Sequence, residues 1–271
     1  STTAARRTAA AGSGADLTLT PDPAFLADPA TVYPVTIDPQ INPLSTTYDT
    51  YVKQGDTVDR GGANDLQLGL VAGDIARSFV HWDTSALSGK QITAATANFW
   101  NWWSPSCTAT SWEIWSTGPA STDSRWGNQP AWNTKEATAT GTKGFDSSCD
   151  DGWVSISATS FFQRAAAAKQ SRGYMGIRAT SETVSNAFKQ FRSRNAASSA
   201  QVPYAVVTYN SYPVVGARST TPSTSCVTGT GRPYVNTLTP TLKAVITDGE
   251  SSPVKASFEW YAAGGARIGG V

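Results

Sequence analysis

Residues 77–103 read RSFVHWDTSALSGKQITAATANFWNWW, and no other stretch limits the fold of this chain as tightly. Arg77–Asp83 alternates, with Ser78, Val80 and Trp82 on one side and Phe79, His81 and Asp83 on the other. Gly89, able to take a positive φ at little cost, sits in the turn that follows. In Ile92–Trp103 the alternation resumes: Ala95, Ala97 and Phe99 share one face, and Thr96, Asn98, Trp100 and Trp102 share the other. The pattern predicts strand, turn, strand. The small apolar face is expected to meet a core. The opposite face sets two indoles beside an amide and a hydroxyl, a mixture that suits a half-wet surface in touch with a ligand.

Composition narrows the class. The chain has 271 residues, a formal charge of +1 and 15% charged residues, below the roughly 25% usual for soluble proteins. That balance supplies no electrostatic reason for a nucleic acid, an anionic membrane or an acidic partner. No apolar run nears the roughly 20 residues of a membrane helix, so no membrane insertion is expected. Ten tryptophans stand against one methionine and one histidine. With abundant Gly, Ser, Thr and Ala, this composition matches extracellular β-proteins. The three cysteines, Cys107, Cys149 and Cys226, fit no zinc or CxxC spacing. Cys107 and Cys149 both lie in polar loops and would pair in an oxidising compartment; two buried free thiols are the alternative. Cys226 is left over. Ser1–Ala15 lacks the apolar core of a signal peptide. The start without Met and the Gly-rich final residues read as a segment of a longer secreted or cell-surface protein.

Taken in order, residues 1–45 read as a disordered tail, the end of a preceding module and a linker, with short strands at Asp16–Thr20 and Val32–Ile37. From residue 46 to 210, short strands recur between Gly-, Asn- and Asp-rich turns, at Thr50–Lys53, Asp65–Leu70, Ser78–Trp82, Thr93–Trp102, Ser111–Thr117, Trp153–Ser157, Gly173–Ala179, Ala187–Arg192 and Tyr204–Tyr209. This spacing predicts an antiparallel sandwich. One helix, Ser160–Lys169, is expected to close an end of it, capped by Ser157 or Thr159. Residues 211–271 hold a Ser/Thr/Pro linker and two strands, Thr241–Ile246 and Lys255–Tyr261, of an incomplete immunoglobulin- or fibronectin-like sandwich.

Catalytic patterns are weak. A Ser-His-Asp triad would have to use His81, whose mid-strand setting reads as structural. No spacing among Glu113, Asp123, Glu136, Asp146 and Glu182 singles out the converging acid pair of a glycosidase. Binding chemistry is better represented, since an indole face packs on the C–H face of a sugar while amides or guanidinium groups bond its hydroxyls. Trp100, Trp102 and Trp115 are expected on one concave sheet, with Asn98 and Glu113 as polar partners. Alternatively, most of the rings of Trp100, Trp102, Trp103, Trp112, Trp115, Trp126 and Trp132 fill the core. Trp126 and Trp132 flank a Pro loop and read as a packed corner. Arg178, Lys189, Arg192 and Arg194 give the late strands a basic edge, suited to an acidic polysaccharide such as a uronate or to blocking edge-to-edge pairing. Asp146, Asp150 and Asp151 offer carboxylates for Ca²⁺, with Asp56, Asp59 and Asp65 a second such group; solvated loops are the alternative. No other cofactor is expected.

Several segments resemble the DNRLRE domain family, jelly-roll modules that include carbohydrate-binding modules attached to alginate lyases. They are RSFVHWDTSAL (77–87), QITAATANFW (91–100), RWGNQPAW (125–132), MGIRATSETVSNAFKQFRS (175–193) and PYAVVTYN (203–210), in the family's order across about residues 46–210. The flanks are similar to long secreted actinobacterial proteins with many β-modules. The resemblance implies an all-β antiparallel jelly-roll sandwich with one short helix, flanked by partial β modules, and a non-catalytic role. The expected partners are a polysaccharide or cell-wall glycan and neighbouring domains of the same chain. The rival reading is a structural spacer in a giant surface or toxin-delivery protein.

Overall fold

The computed structural model describes residues 5–7, 17–19, 42–225, 227, 229–249 and 254–271. Its strands are, in chain order, β1 (Ala5–Arg7), β2 (Leu17–Leu19), β3 (Asn42–Lys53), β4 (Asp65–Val71), β5 (Asp74–Asp83), β6 (Gln91–Trp103), β7 (Trp112–Thr117) and β8 (Trp132–Ala139). Then follow β9 (Gly152–Ser157), the helix α1 (Thr159–Ala167), β10 (Arg172–Ala179), β11 (Lys189–Arg192), β12 (Tyr204–Asn210), β13 (Val214–Thr221), β14 (Thr241–Thr247), β15 (Glu259–Tyr261) and β16 (Arg267–Gly270). Contacts divide the chain into a unit ending at Pro39 and a unit beginning at Gln40.

In the first unit, β1 pairs antiparallel with β2. Residues 5–7 are therefore a strand where a disordered tail was expected. The strand read at Val32–Ile37 lies outside the described residues.

The second unit is built on an all-β sandwich spanning β3 to β12. In its first sheet, β6 is central. Thr96–Asn101 pair with β9 on one edge, while the other edge is shared by β12, along Gln91–Asn98, and β11, at Asn101 and Trp103. In the second sheet β5 takes β3 on one edge and β10 and the end of β4 on the other, and the ladder continues through β7 to β8. β3 and β4 belong to both sheets. The first residues of each pair with β12 and β11, and the later ones with β5. β3 begins at Asn42, four residues ahead of the boundary drawn at 46, and β8 was not foreseen.

The two inner faces meet as the β6 pattern requires. Ala95, Ala97 and Phe99 join Val80, Trp82, Trp112, Ile114, Phe162 and Phe191 in one buried cluster. Phe99 stacks on Phe191 at 5.4 Å, and its edge contacts Trp112 at 6.0 Å. Two tryptophans, Trp82 and Trp112, are fully buried in this core. α1 closes one end with Phe161, Phe162, Ala165 and Ala166 turned inward. Its N-cap is Ala158, with no side-chain cap bond. The Thr159 hydroxyl instead bonds across to β6, accepting from the Ala95 N–H at 2.9 Å, so neither expected cap is used. Further along, β13 pairs with β14 and β15 with β16 as separate two-stranded ladders. Among the described residues, no helix is long and apolar enough to cross a membrane.

Candidate functional site

Each sheet leaves a tryptophan-bearing face outside the core, and the two faces are wired differently. On the first sheet, Trp100 of β6 stands opposite Trp153 of β9 in the ladder. Their rings are perpendicular with centroids 5.4 Å apart, and Trp153 meets Tyr204 of β12 edge-on at 4.8 Å. The Trp100 indole N–H donates to Asp151 Oδ2 at 3.0 Å. Beneath them, Asn98 is buried, accepts from the Ser155 hydroxyl at 2.7 Å and faces the Tyr204 carbonyl. One residue pair further along β6, the Arg192 guanidinium lies over the Trp102 ring at 4.4 Å. Among the described residues neither the Trp102 indole N–H nor Arg192 Nε has a hydrogen-bond partner, though both atoms are out of water. No ion pair involves Arg192 among the described residues, whereas Arg60, Arg77, Arg164 and Arg178 each hold a carboxylate.

On the second sheet, indoles and guanidinium groups alternate in a closed stack. Arg77 lies 4.8 Å from Trp126 and 5.7 Å from Trp132; Arg178 lies 5.1 Å from Trp132 and 4.3 Å from Trp115. Each guanidinium in it holds a carboxylate. Arg77 makes a two-pronged bond to Glu182 at 2.7 and 2.6 Å, and Glu113 receives Arg178 at 3.1 Å and Lys135 at 2.6 Å. Gly176 makes room for the stack, since a Cβ there would stand 2.6 Å from the Trp132 ring. The loop between β7 and β8 folds over the same face. His81 Nε2 accepts the Ala120 N–H at 3.0 Å, and Arg125 donates to the Thr57 carbonyl at 2.7 Å. Burial, with the charge of Arg172 nearby, pushes the His81 imidazole down to about 4, so it is a neutral acceptor here at ordinary pH.

The residues expected at one concave face are therefore split. Trp100, Trp102 and Asn98 belong to the first sheet; Trp115, Glu113 and Arg178 belong to the second, because β6 and β7 do not pair. All three indoles are half-buried. Glu113, almost fully buried, is held by two cations and has no reach toward a ligand. Lys189 is not on a basic edge. It shares its inward parity with Phe191, is fully buried, and its ammonium donates to Thr142 at 2.6 Å and Thr110 at 3.1 Å. Burial alone lowers it to about 8. Trp153 and Tyr204, which complete the aromatic row, were missed. Their outward parity could have been found by setting Val154, Ile156, Ala205 and Val207 inward.

The acidic loop is stapled by a Cys107–Cys149 disulfide. Asp146 accepts from the Ser148 hydroxyl at 2.6 Å and N–H at 2.9 Å, which hold its carboxyl below the usual range. Asp151 is engaged by Trp100. Asp146, Asp150 and Asp151 do not converge: among the described residues the one metal-sized group is Asp146 with the two cysteines, whose sulfurs are tied to each other. Asp56 is paired with Arg60 and Asp59 accepts the Gly61 N–H, so the second acidic group is likewise dispersed. Cys226 lies outside the described residues. Gly144, at φ +81, carries the stapled loop across the end of β6, where a Cβ would sit 2.5 Å from the Trp102 carbonyl carbon.

Residues 40–209 match the model of carbohydrate-binding module family 96, a span that covers more than half of the 271-residue chain. No curated protein matches it.

Proposed function

We propose that this chain, which belongs to carbohydrate-binding module family 96, binds polysaccharide without catalysis through the outer face of its first sheet. The observation that carries this reading is the row Trp100, Trp153 and Tyr204 beside a Trp102–Arg192 pair whose guanidinium has no carboxylate. Indoles offer apolar faces to sugar C–H groups and edges that hydrogen-bond. An unneutralised, half-buried guanidinium is suited to receive a carboxylate in a two-pronged bond. A uronate-bearing polymer is therefore the preferred ligand. The disulfide supports an oxidising, extracellular setting, as a module of a larger secreted or surface protein.

Affinity electrophoresis against alginate, pectin, chitin and cell-wall glycan tests the proposal. The wild type is expected to be retarded most by a uronate polymer, and Trp100→Ala or Trp153→Ala to run as in a plain gel. If every polymer leaves the wild type unretarded, the spacer reading replaces this one. The closed stack on the second sheet favours that alternative in part, since those tryptophans are consumed in holding the module rigid.

A further inference from the structure

We infer a second carbohydrate contact, a cavity that takes one neutral pyranose ring, between α1 and the strands β7, β8 and β10. It rests on the same reading of the chain as a carbohydrate binder but uses none of the residues of the aromatic face. The cavity measures about 250 Å³. At roughly 30 Å³ of liquid per water molecule it holds about eight waters, the scale of a single sugar ring.

Its walls match such a ring. Tyr174 on β10 supplies aromatic surface, Phe161 at the start of α1 backs the space from the core, and Gly173 keeps the floor bare of a side chain. A Cβ at Gly173 would stand 3.0 Å from the Phe161 ring, so the floor is already close-packed beneath the space. The polar lining comes from Asn133 and Thr134 on β8 and from Gln170 just past α1. The side chains of Asn133, Thr134 and Gln170 and the Tyr174 hydroxyl make no hydrogen bond within the described residues, so their donors and acceptors stand ready for hydroxyls. Two primary amides and two hydroxyls can each donate and accept, as vicinal sugar hydroxyls demand.

The charge argues for a neutral ring. Arg164 is the one ionised side chain in the lining, and its Nε donates at 3.0 Å to Glu136, whose side chain is almost fully buried. The pair leaves no uncompensated cation for a uronate carboxylate, in contrast to Arg192. The space opens to solvent past Asn133 and Gln170, both exposed, so one ring of a glycan can enter it while another segment lies on the aromatic face.

Amide-resolved NMR titration with methyl glucoside, methyl galactoside, methyl N-acetylglucosaminide and glucuronate is the test. At least one neutral glycoside is expected to shift the amides of Asn133, Thr134, Gly173 and Tyr174 at millimolar concentration, with glucuronate shifting them less. Asn133→Ala and Tyr174→Phe, both conservative for folding, should each weaken that response several-fold, and Trp153→Ala should leave it intact. The inference fails if no neutral glycoside moves these amides, if glucuronate moves them most, or if the shifts fall instead around Trp100 and Trp153. Polymer retardation by the same protein reports separately on the aromatic face: its loss with the glycoside response retained overturns the face, and the reverse overturns the cavity.

Discussion

Replacing Arg178 by Ala separates a structural tryptophan face from a binding one. The guanidinium lies within the roughly 6 Å reach of a cation–π contact to two rings, Trp115 at 4.3 Å and Trp132 at 5.1 Å. Both rings are half-buried, so each contact is worth about 1 kcal/mol. The change also leaves Glu113, nearly buried, with Lys135 as its single remaining cation, which costs about another 1 kcal/mol. The sum is about 3 kcal/mol, or a Tm lowered by roughly 6–12 °C for a domain of this size. Arg178→Lys keeps the ion pair but not the flat cation, and should recover about one third of the loss. Scanning calorimetry measures the stability, and affinity electrophoresis well below both transitions measures glycan retention. The expected result is a large fall in Tm with retention on the polymer unchanged, and the opposite for Trp153→Ala. A fall in retention matching that of Trp153→Ala, or a Tm within 2 °C of wild type (less than about 1 kcal/mol), would refute the reasoning.

Three further predictions concern buried charges and the staple. Burial pushes the Asp49 carboxyl up to about 7 against the pull of Arg194, whose N–H it accepts at 2.7 Å. A folded-state value above the unfolded one means the stabilisation is complete below about pH 4 and is lost as pH rises through 7. Asp49→Asn should therefore raise stability at pH 8 by up to roughly 4 kcal/mol and change little at pH 4; urea unfolding that shows no pH-dependent gain counts against it. Lys189 has the opposite sign. With its folded value lowered to about 8, stability rises as pH climbs from 8 toward the ordinary lysine range, and Lys189→Met should remove that rise, adding up to about 3 kcal/mol at pH 7. Equal pH profiles for variant and wild type above pH 8 would contradict this. The Cys107–Cys149 bridge closes a loop of 42 residues, so reduction or a Cys107→Ser, Cys149→Ser double variant should cost about 4 kcal/mol. A Tm indifferent to reductant would show the staple to be idle.

The fold was legible where the signal was local. The two-residue period of Ile92–Trp103 put Ala95, Ala97 and Phe99 in the core. Parity says which side of a strand a residue occupies, but not which sheet owns the strand. That is why Trp100 and Trp115 were expected on one surface when β6 and β7 lie in different sheets. Lys189 went astray because charge was weighed above parity. It sits two residues before Phe191 on a four-residue strand, and the hydroxyls that accept its protons come from Thr110 and Thr142, far away in sequence. β8 escaped because WNTKEATA shows no clean apolar alternation; its place at the sheet edge leaves much of it exposed.

The same contact, a guanidinium over an indole, appears on both outer faces, and the carboxylates beside it decide what each can do. For Arg77 or Arg178 to receive a sugar carboxylate it would have to release Glu182 or Glu113, whose side chains are 17% and 4% exposed and would be left as poorly solvated charges. Breaking one partner of such a pair costs more than the new bond returns. Arg192 carries no such debt: among the described residues no carboxylate has to be released before its guanidinium takes a new one, so an incoming carboxylate adds a charge-assisted bond without stranding a buried acid. Binding of a uronate polymer should consequently depend on Arg192 far more than on the other stacked arginines, and weaken with salt, because the polymer's charges are exposed even where the guanidinium is not. Arg192→Gln, which keeps a planar group over Trp102, should abolish that salt dependence while leaving retention on neutral glycans in place; retention of uronate at wild-type strength by this variant would remove the charge argument and leave only the stacking.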